Sequence, residues 1–160
     1  MKKLATLLTI LLLAQATWAI NVKEVFNEFK DTPRAEYVSI SPFLMSIGKC
    51  FINEEEGPEM ALAKQIKSMK VLDLEDCSPD VKARFSRRIA DLSHDGYETL
   101  VRVNDEGEKV NILVKEKNNV IREMLILCTS PDDCTMVLFK GKFKTEDIDR
   151  LINEDSMGQD

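Results

Sequence analysis

The side chains best suited to chemistry in this chain are few and far apart. Its one histidine, His94, stands beside Asp95. A histidine aligned by a carboxylate serves as a general base. Sequence neighbours rarely meet side chain to side chain, however, and no serine or cysteine sits in a recognisable nucleophile elbow. In the last turn of a predicted helix, His94 instead suits the negative end of the helix dipole and can bond a free carbonyl. Glu123 interrupts an apolar run, where burial would raise its pKa toward acid–base work. A carboxylate in such a strand more often faces a cross-strand lysine, for which Lys140 and Lys142 are the candidates. The acidic groups Asp73/Glu75/Asp76, Asn104/Asp105/Glu106 and Asp132/Asp133 offer oxygens to calcium, but none has the spaced ligands and glycine of an EF-hand loop. Solvated turns and strand ends account for them. No catalytic, cofactor-binding or metal-ligating residue is assigned, and no cofactor is expected.

Four cysteines remain: Cys50, Cys77, Cys128 and Cys134. They form no C-x-x-C, so neither a zinc knuckle nor a thioredoxin-type centre has local support. In an oxidising compartment an even number suggests disulfides. Cys128 and Cys134 bracket Thr129 to Asp133, a connection of hairpin length between two predicted strands. Directly opposed residues of a closing pair bring their Cβ atoms to about 4.5–5.5 Å, near what a disulfide requires. A bridge between Cys128 and Cys134 is therefore expected, the alternative being two reduced cysteines buried at a sheet end. Cys50 and Cys77 lie on separate elements and give no basis for pairing.

The oxidising compartment is inferred from the N-terminus. Lys2 and Lys3 precede an uncharged apolar run, Leu4 to Leu13, and the small residues Ala14, Ala16 and Ala19 follow. A basic start, an apolar centre and an A-x-A-like exit make a secretory signal peptide over residues 1–19. The run is too short to span about 30 Å of hydrocarbon, so a stable membrane anchor is not expected. Cleavage after Ala19 fits best, with Ala16 as the second choice. No cysteine follows either point, which argues against a lipoprotein. Removing 19 of the 160 residues leaves 141, a single domain of ordinary size over 20–153 with a polar tail at 154–160. The formal charge of −6 becomes −8 once Lys2 and Lys3 are lost. Such a surface is repelled by phosphate backbones and anionic membranes, so nucleic acid is not expected as a partner.

Periodicity supplies the elements. Val22, Val25, Phe26 and Phe29 have the i, i+3, i+4, i+7 spacing of an amphipathic helix. A short strand over 35–40 follows, and Ser41-Pro42 opens a second helix with a cap and a first-turn proline. A third helix carries Met60, Ala63 and Ile66, and Lys70 to Leu74 forms a strand. Ser78-Pro79 starts a helix lined by Val81, Phe85, Ile89 and Leu92, closed by Gly96. The period then changes to 2. Tyr97–Val103, Lys109–Lys115, Val120–Cys128 and Thr135–Phe139 read as four strands joined by Asn104–Gly107, Asn118-Asn119 and Ser130–Asp133. A last helix, capped by Thr145, carries Ile148, Leu151 and Ile152. The layout is α+β: an antiparallel four-stranded meander with amphipathic helices packed on it, preceded by a β-α-α-β unit and closed by a C-terminal helix. The two early strands are expected to pair in parallel through a crossover.

One strand is apolar on both alternating sets. Val120, Met124 and Ile126 form one set and Ile121, Leu125 and Leu127 the other, with Leu100, Leu113 and either Val137 or Phe139 extending the second. A half-exposed sheet alternates more cleanly. Either helices cover both faces, or one face meets a partner or a second copy.

Tyr37-Val38-Ser39-Ile40-Ser41 with Met45, Met69-Lys70-Val71-Leu72, Gly96-Tyr97, Leu100 to Val103, Ile121 to Leu125 and Leu138 to Lys142 resemble an exported bacterial family, domain of unknown function 4252. The resemblance spans most of the mature chain on hydrophobic strand patterns. It implies a gram-negative envelope protein with no assigned activity and no catalytic residues to carry over. Many members have a lipoprotein signal, from which this chain departs. The expectation is a periplasmic or secreted, non-catalytic binding module whose partner is another envelope protein or itself. The alternatives are an envelope hydrolase using carboxylates or His94, and a thiol-dependent protein.

Overall fold

Four apolar side chains decide the first helix. In the computed structural model, which describes residues 21–49, 58–90, 92 and 96–150, α1 (Val22–Phe29) buries Val22, Val25, Phe26 and Phe29. The Asn21 side chain caps it by accepting from the Lys23 amide at 2.8 Å. After β1 (Glu36–Ile40), α2 (Pro42–Lys49) begins at Ser41-Pro42. Then come α3 (Pro58–Gln65), β2 (Ile66–Asp73) and α4 (Pro79–Ala90). The meander comprises β3 (Glu98–Asp105), β4 (Glu108–Lys117), β5 (Val120–Thr129) and β6 (Cys134–Phe143). Helix α5 covers residues 145–150. It starts at Thr145 itself, one residue earlier than a Thr145 cap allows; Leu151 and Ile152 lie outside the described residues, as do the signal peptide and the polar tail.

The two tight hairpins follow from backbone chemistry. Glu106 and Gly107 have φ of 44° and 94°, and Asn118 and Asn119 have 56° and 57°. Paired positive φ values are those of the I′ turn, whose twist matches the flanking strands.

The six strands form one antiparallel sheet in the order β1-β2-β6-β5-β4-β3. The expected parallel pairing of the first two strands does not occur: Glu36 opposes Asp73 and Ile40 opposes Met69 in antiparallel register. One crossover helix would return the chain to the end where β1 starts. Two helices return it to the end where β1 finishes, so β2 runs back alongside. Strand β2 begins at Ile66, four residues before the expected Lys70, because Ile66 pairs with Gly141 of a β6 that runs on past Phe139. That pairing needs the glycine. A Cβ on residue 141 would lie 2.2 Å from the Gln65 carbonyl oxygen at the end of α3.

Helices α1 and α4 cover one face over Leu72, Leu74, Leu113, Leu125, Leu127, Met136 and Leu138. The Phe29 and Phe85 rings meet edge to face at 5.4 Å. Glu28 ties the two helices together through Arg88 at 2.7 Å and Arg84 at 3.6 Å. On the other face Leu62 of α3 and Ile148 of α5 pack with Val114, Ile121, Met124 and Phe143. Gln65 links these helices by donating to Asp147 at 2.5 Å and accepting from the Lys144 amide at 2.7 Å.

The two apolar sets of β5 differ from the expected ones. A register shift between Ile121 and Glu123 moves Ile121 to the Met124 side, and one between Thr99 and Val101 accompanies Leu100 on that same side. Both are effects of β-bulges, each inserting a residue and reversing the alternation. Val137 and Phe139 also belong to that side, since Leu125 opposes Leu138 and Leu127 opposes Met136.

The Cys128–Cys134 bridge is corrected for a related reason. Cys134 opposes Thr129, and Cys128 opposes Thr135. The turn is one residue shorter than expected: the Ser130 amide donates to Asp133 O at 2.7 Å, and Ser130 Oγ accepts from the Asp133 amide at 2.9 Å. A one-residue offset sends two side chains to opposite faces. Cys134 is buried under the helices, Cys128 is part-exposed on the reverse face, and both are free thiols.

Candidate functional site

Two features stand apart from the core, one on each face. The first is a cross-strand row of β-branched residues. Val38 opposes Val71, which opposes Val137. Val137 opposes Ile126, Ile126 opposes Ile112, and Ile112 opposes Val101. The row crosses all six strands on the face opposite α1 and α4. Ile112 packs against the second cluster. Val71, Val101, Ile126 and Val137 are part-exposed, and Val38 is 50% exposed. Directly after β1, α2 presents Phe43 (71% exposed), Leu44 (55%) and Ile47 (42%) and buries none of its residues. Its end is held by Lys49 Nζ, which donates to the Lys64 carbonyl at 2.7 Å and to that of Ile66. Among the described residues, most of the exposed large apolar side chains thus fall within residues 38–47. Surfaces of this kind mark interaction sites more often than accident.

The second feature surrounds Glu123. Lys140, directly opposite, donates to Glu123 Oε1 at 2.8 Å, and the Tyr97 hydroxyl donates to Oε2. Burial pushes the Glu123 carboxyl up. The Lys140 and Tyr97 hydrogen bonds, with the charges of Lys140 and Lys115, outweigh it and hold the group below its ordinary range. A carboxylate so held accepts protons poorly near neutrality. Of the two lysines expected as partners, Lys140 is the one that meets it.

The remaining chemistry-bearing residues that the structure describes do not converge. His94, Asp95 and Cys50 lie outside the described residues. Asp73 Oδ1 accepts from the Glu75 amide at 2.8 Å, and Asp133 Oδ1 accepts from Thr135 at 3.0 Å, the usual work of turn carboxylates. Among the described residues no group of three or more His, Cys, Asp or Glu is placed to hold a metal ion. Burial pushes the thiols of Cys77, Cys128 and Cys134 up, which disfavours their thiolate forms. A cavity of about 400 Å³ between α4 and the ends of the β3–β4 and β5–β6 hairpins has Lys109 as its one ionisable lining residue among the described residues. No helix among the described residues is long and apolar enough to cross a membrane.

A family model, Domain of unknown function (DUF4252), matches residues 29–151. The chain belongs to this family. No curated protein and no solved structure matches it. The DUF4252 match runs from the last residue of α1 through α5, so both faces of the sheet lie within it. The sequence pointed to an apolar second face through β5, with Leu100, Leu113 and either Val137 or Phe139 as extensions. It missed Val38, Val71 and the α2 residues, whose place became visible only once β1 and β2 joined the meander's sheet. A signal existed in the alternation of Tyr37-Val38-Ser39-Ile40, where the apolar Val38 and Ile40 share a face.

Proposed function

We propose that this DUF4252 protein is exported and acts without catalysis, packing the face crossed by the Val38–Val101 row on a protein partner, either another envelope protein or a second copy. The single observation that carries the reading is the row itself. Six β-branched aliphatic residues in register across six strands, five of them outside both core clusters, make an apolar surface of the kind that sheet-on-sheet packing uses. The exposed apolar side of α2 supports it. The reading without catalysis is supported by the ion-paired state of Glu123, a carboxylate already engaged by Lys140.

Light scattering on the purified mature protein, alone and after in-cell crosslinking with its partner identified, tests the proposal. Association that is lost in Val38→Glu or Phe43→Asp, at unchanged stability, is the expected outcome. A monomer that crosslinks to nothing through these positions contradicts it. Export rests on the N-terminal pattern of residues 1–19, and sequencing of the mature chain should begin at Ile20, or failing that at Thr17. A cytoplasmic species retaining Met1 would overturn it.

A further inference from the structure

The sheet has two edges, and they differ. At one, β3 has its register broken between Thr99 and Val101 and carries Arg102 in mid-strand. Bulges and charges are devices that keep an edge from pairing with another chain. At the other, β1 opposes β2 without a shift, from Glu36 against Asp73 to Ile40 against Met69. It holds no proline, lysine or arginine, none of its five residues is buried, and its one charged residue is the first, Glu36. Among the described residues β2 is its one strand neighbour. Such an edge offers main-chain N–H and C=O groups to a further strand.

The strand is complementary to itself. A two-fold axis through Val38, normal to the sheet, sets Val38 against Val38, Tyr37 against Ser39 and Glu36 against Ile40. All five residues then pair, and no like charges meet. Each residue opposes one of the same parity, so the hydrogen-bonding directions stay in step. An axis at Tyr37 or Ser39 pairs only three of the five, and one at Glu36 sets two carboxylates against each other. The axis at Val38 also joins the two rows, because Val38 is the outermost residue of the row that runs through Val71 and Val137. A five-residue ladder buries little by itself. The exposed Phe43, Leu44 and Ile47 of α2, which follows directly after β1, supply apolar area next to it.

We propose that β1 pairs antiparallel with β1 of a second copy about Val38, joining two six-stranded sheets edge to edge. The contact uses the main chain of β1 and leaves the face of the row open. It therefore goes beyond the proposed interaction surface and is tested separately from it.

Cysteine trapping in the mature protein tests the register. Val38→Cys should oxidise to a dimer linked 38 to 38, identified by peptide mass mapping, since directly opposed Cα atoms lie about 4.5–5.5 Å apart. Ser39→Cys should not, because residue 39 opposes residue 37 and lies more than about 7 Å from its own counterpart. Ile126→Cys, three strands in and about 14 Å from residue 38, should not either. A link through residue 126 instead would show copies packed face to face, which upholds the interaction surface and overturns the edge contact. Val38→Lys opposes two like charges and should weaken dimerisation about tenfold in a light-scattering concentration series. Alternate amides of residues 36–40 point out of the edge, and should exchange slowly at high protein concentration and fast on dilution. The proposal is overturned if no 38–38 link forms, if Ser39→Cys links as readily, or if Val38→Lys associates like the wild type. Protection of those amides that persists on dilution also overturns it, since the chain itself then covers the edge.

Discussion

Leu125 and Leu138 face each other beneath α1 and α4, at 0% and 4% exposure, while one residue further along the same strands Ile126 and Val137 face each other part-exposed on the reverse side. The strands, the register and the hydrophobic character are shared. What differs is the cover. One side meets two helices that bring four large apolar residues from α1 and Phe85 from α4. On the other, among the described residues, α3 and α5 pack over the Met124–Val114 end. An aliphatic row that adds little to the core of the single chain is still kept apolar across every strand. We read that as surface intended for burial by something else.

The largest expected difference between the faces is in stability. Phe29→Ala removes a fully buried ring packed on Phe85, and should cost about 3–5 kcal/mol in denaturant unfolding. Val38→Ala on the other face should stay within about 0.5 kcal/mol for the isolated chain. Comparable losses at both positions would show that both faces are core, and the comparison would fail.

A second effect belongs to the helix-covered face alone. The Glu123 carboxyl is held below its ordinary range in the folded chain. The unfolded chain therefore binds the proton more readily. The resulting stabilisation is complete above the unfolded pKa and is lost as pH falls through the folded one. Glu123→Gln should flatten that part of the acid limb in pH-dependent unfolding. An unchanged acid limb in Glu123→Gln would remove the ion pair from the account.

The order of elements was legible from periodicity, because α1, α4 and the meander carry clean 3.6- and 2-residue patterns. So was the Glu123–Lys140 pair, as one of two candidates. Bulges and turn lengths were not. Ile121 and Leu100 changed sides through bulges that no residue type announces. Ser130, by capping its own turn, shortened the β5–β6 connection and separated Cys128 from Cys134. Pairing of β1 with β2 depended on two helices returning the chain, which is tertiary information.

Thiol reactivity sharpens the comparison at a smaller scale. In a Cys50→Ser background, native protein should be alkylated at Cys128, slowly because its thiol is held protonated, and at Cys77 and Cys134 only on unfolding. Mass spectrometry of the labelled chain reads this directly. Labelling of Cys134 as fast as Cys128, or an oxidised pair between them, would contradict the register.

The most direct measurement of the central claim is site-specific photo-crosslinking in living cells, with the reactive side chain placed at residue 38, 43 or 126 and, as a control, at the exposed Arg84 on the helix-covered side. The account predicts one defined protein adduct from 38, 43 and 126, whether another envelope protein or a second copy, and none from 84. Adducts from residue 84 alone, or no adduct from any position in the row, would contradict it.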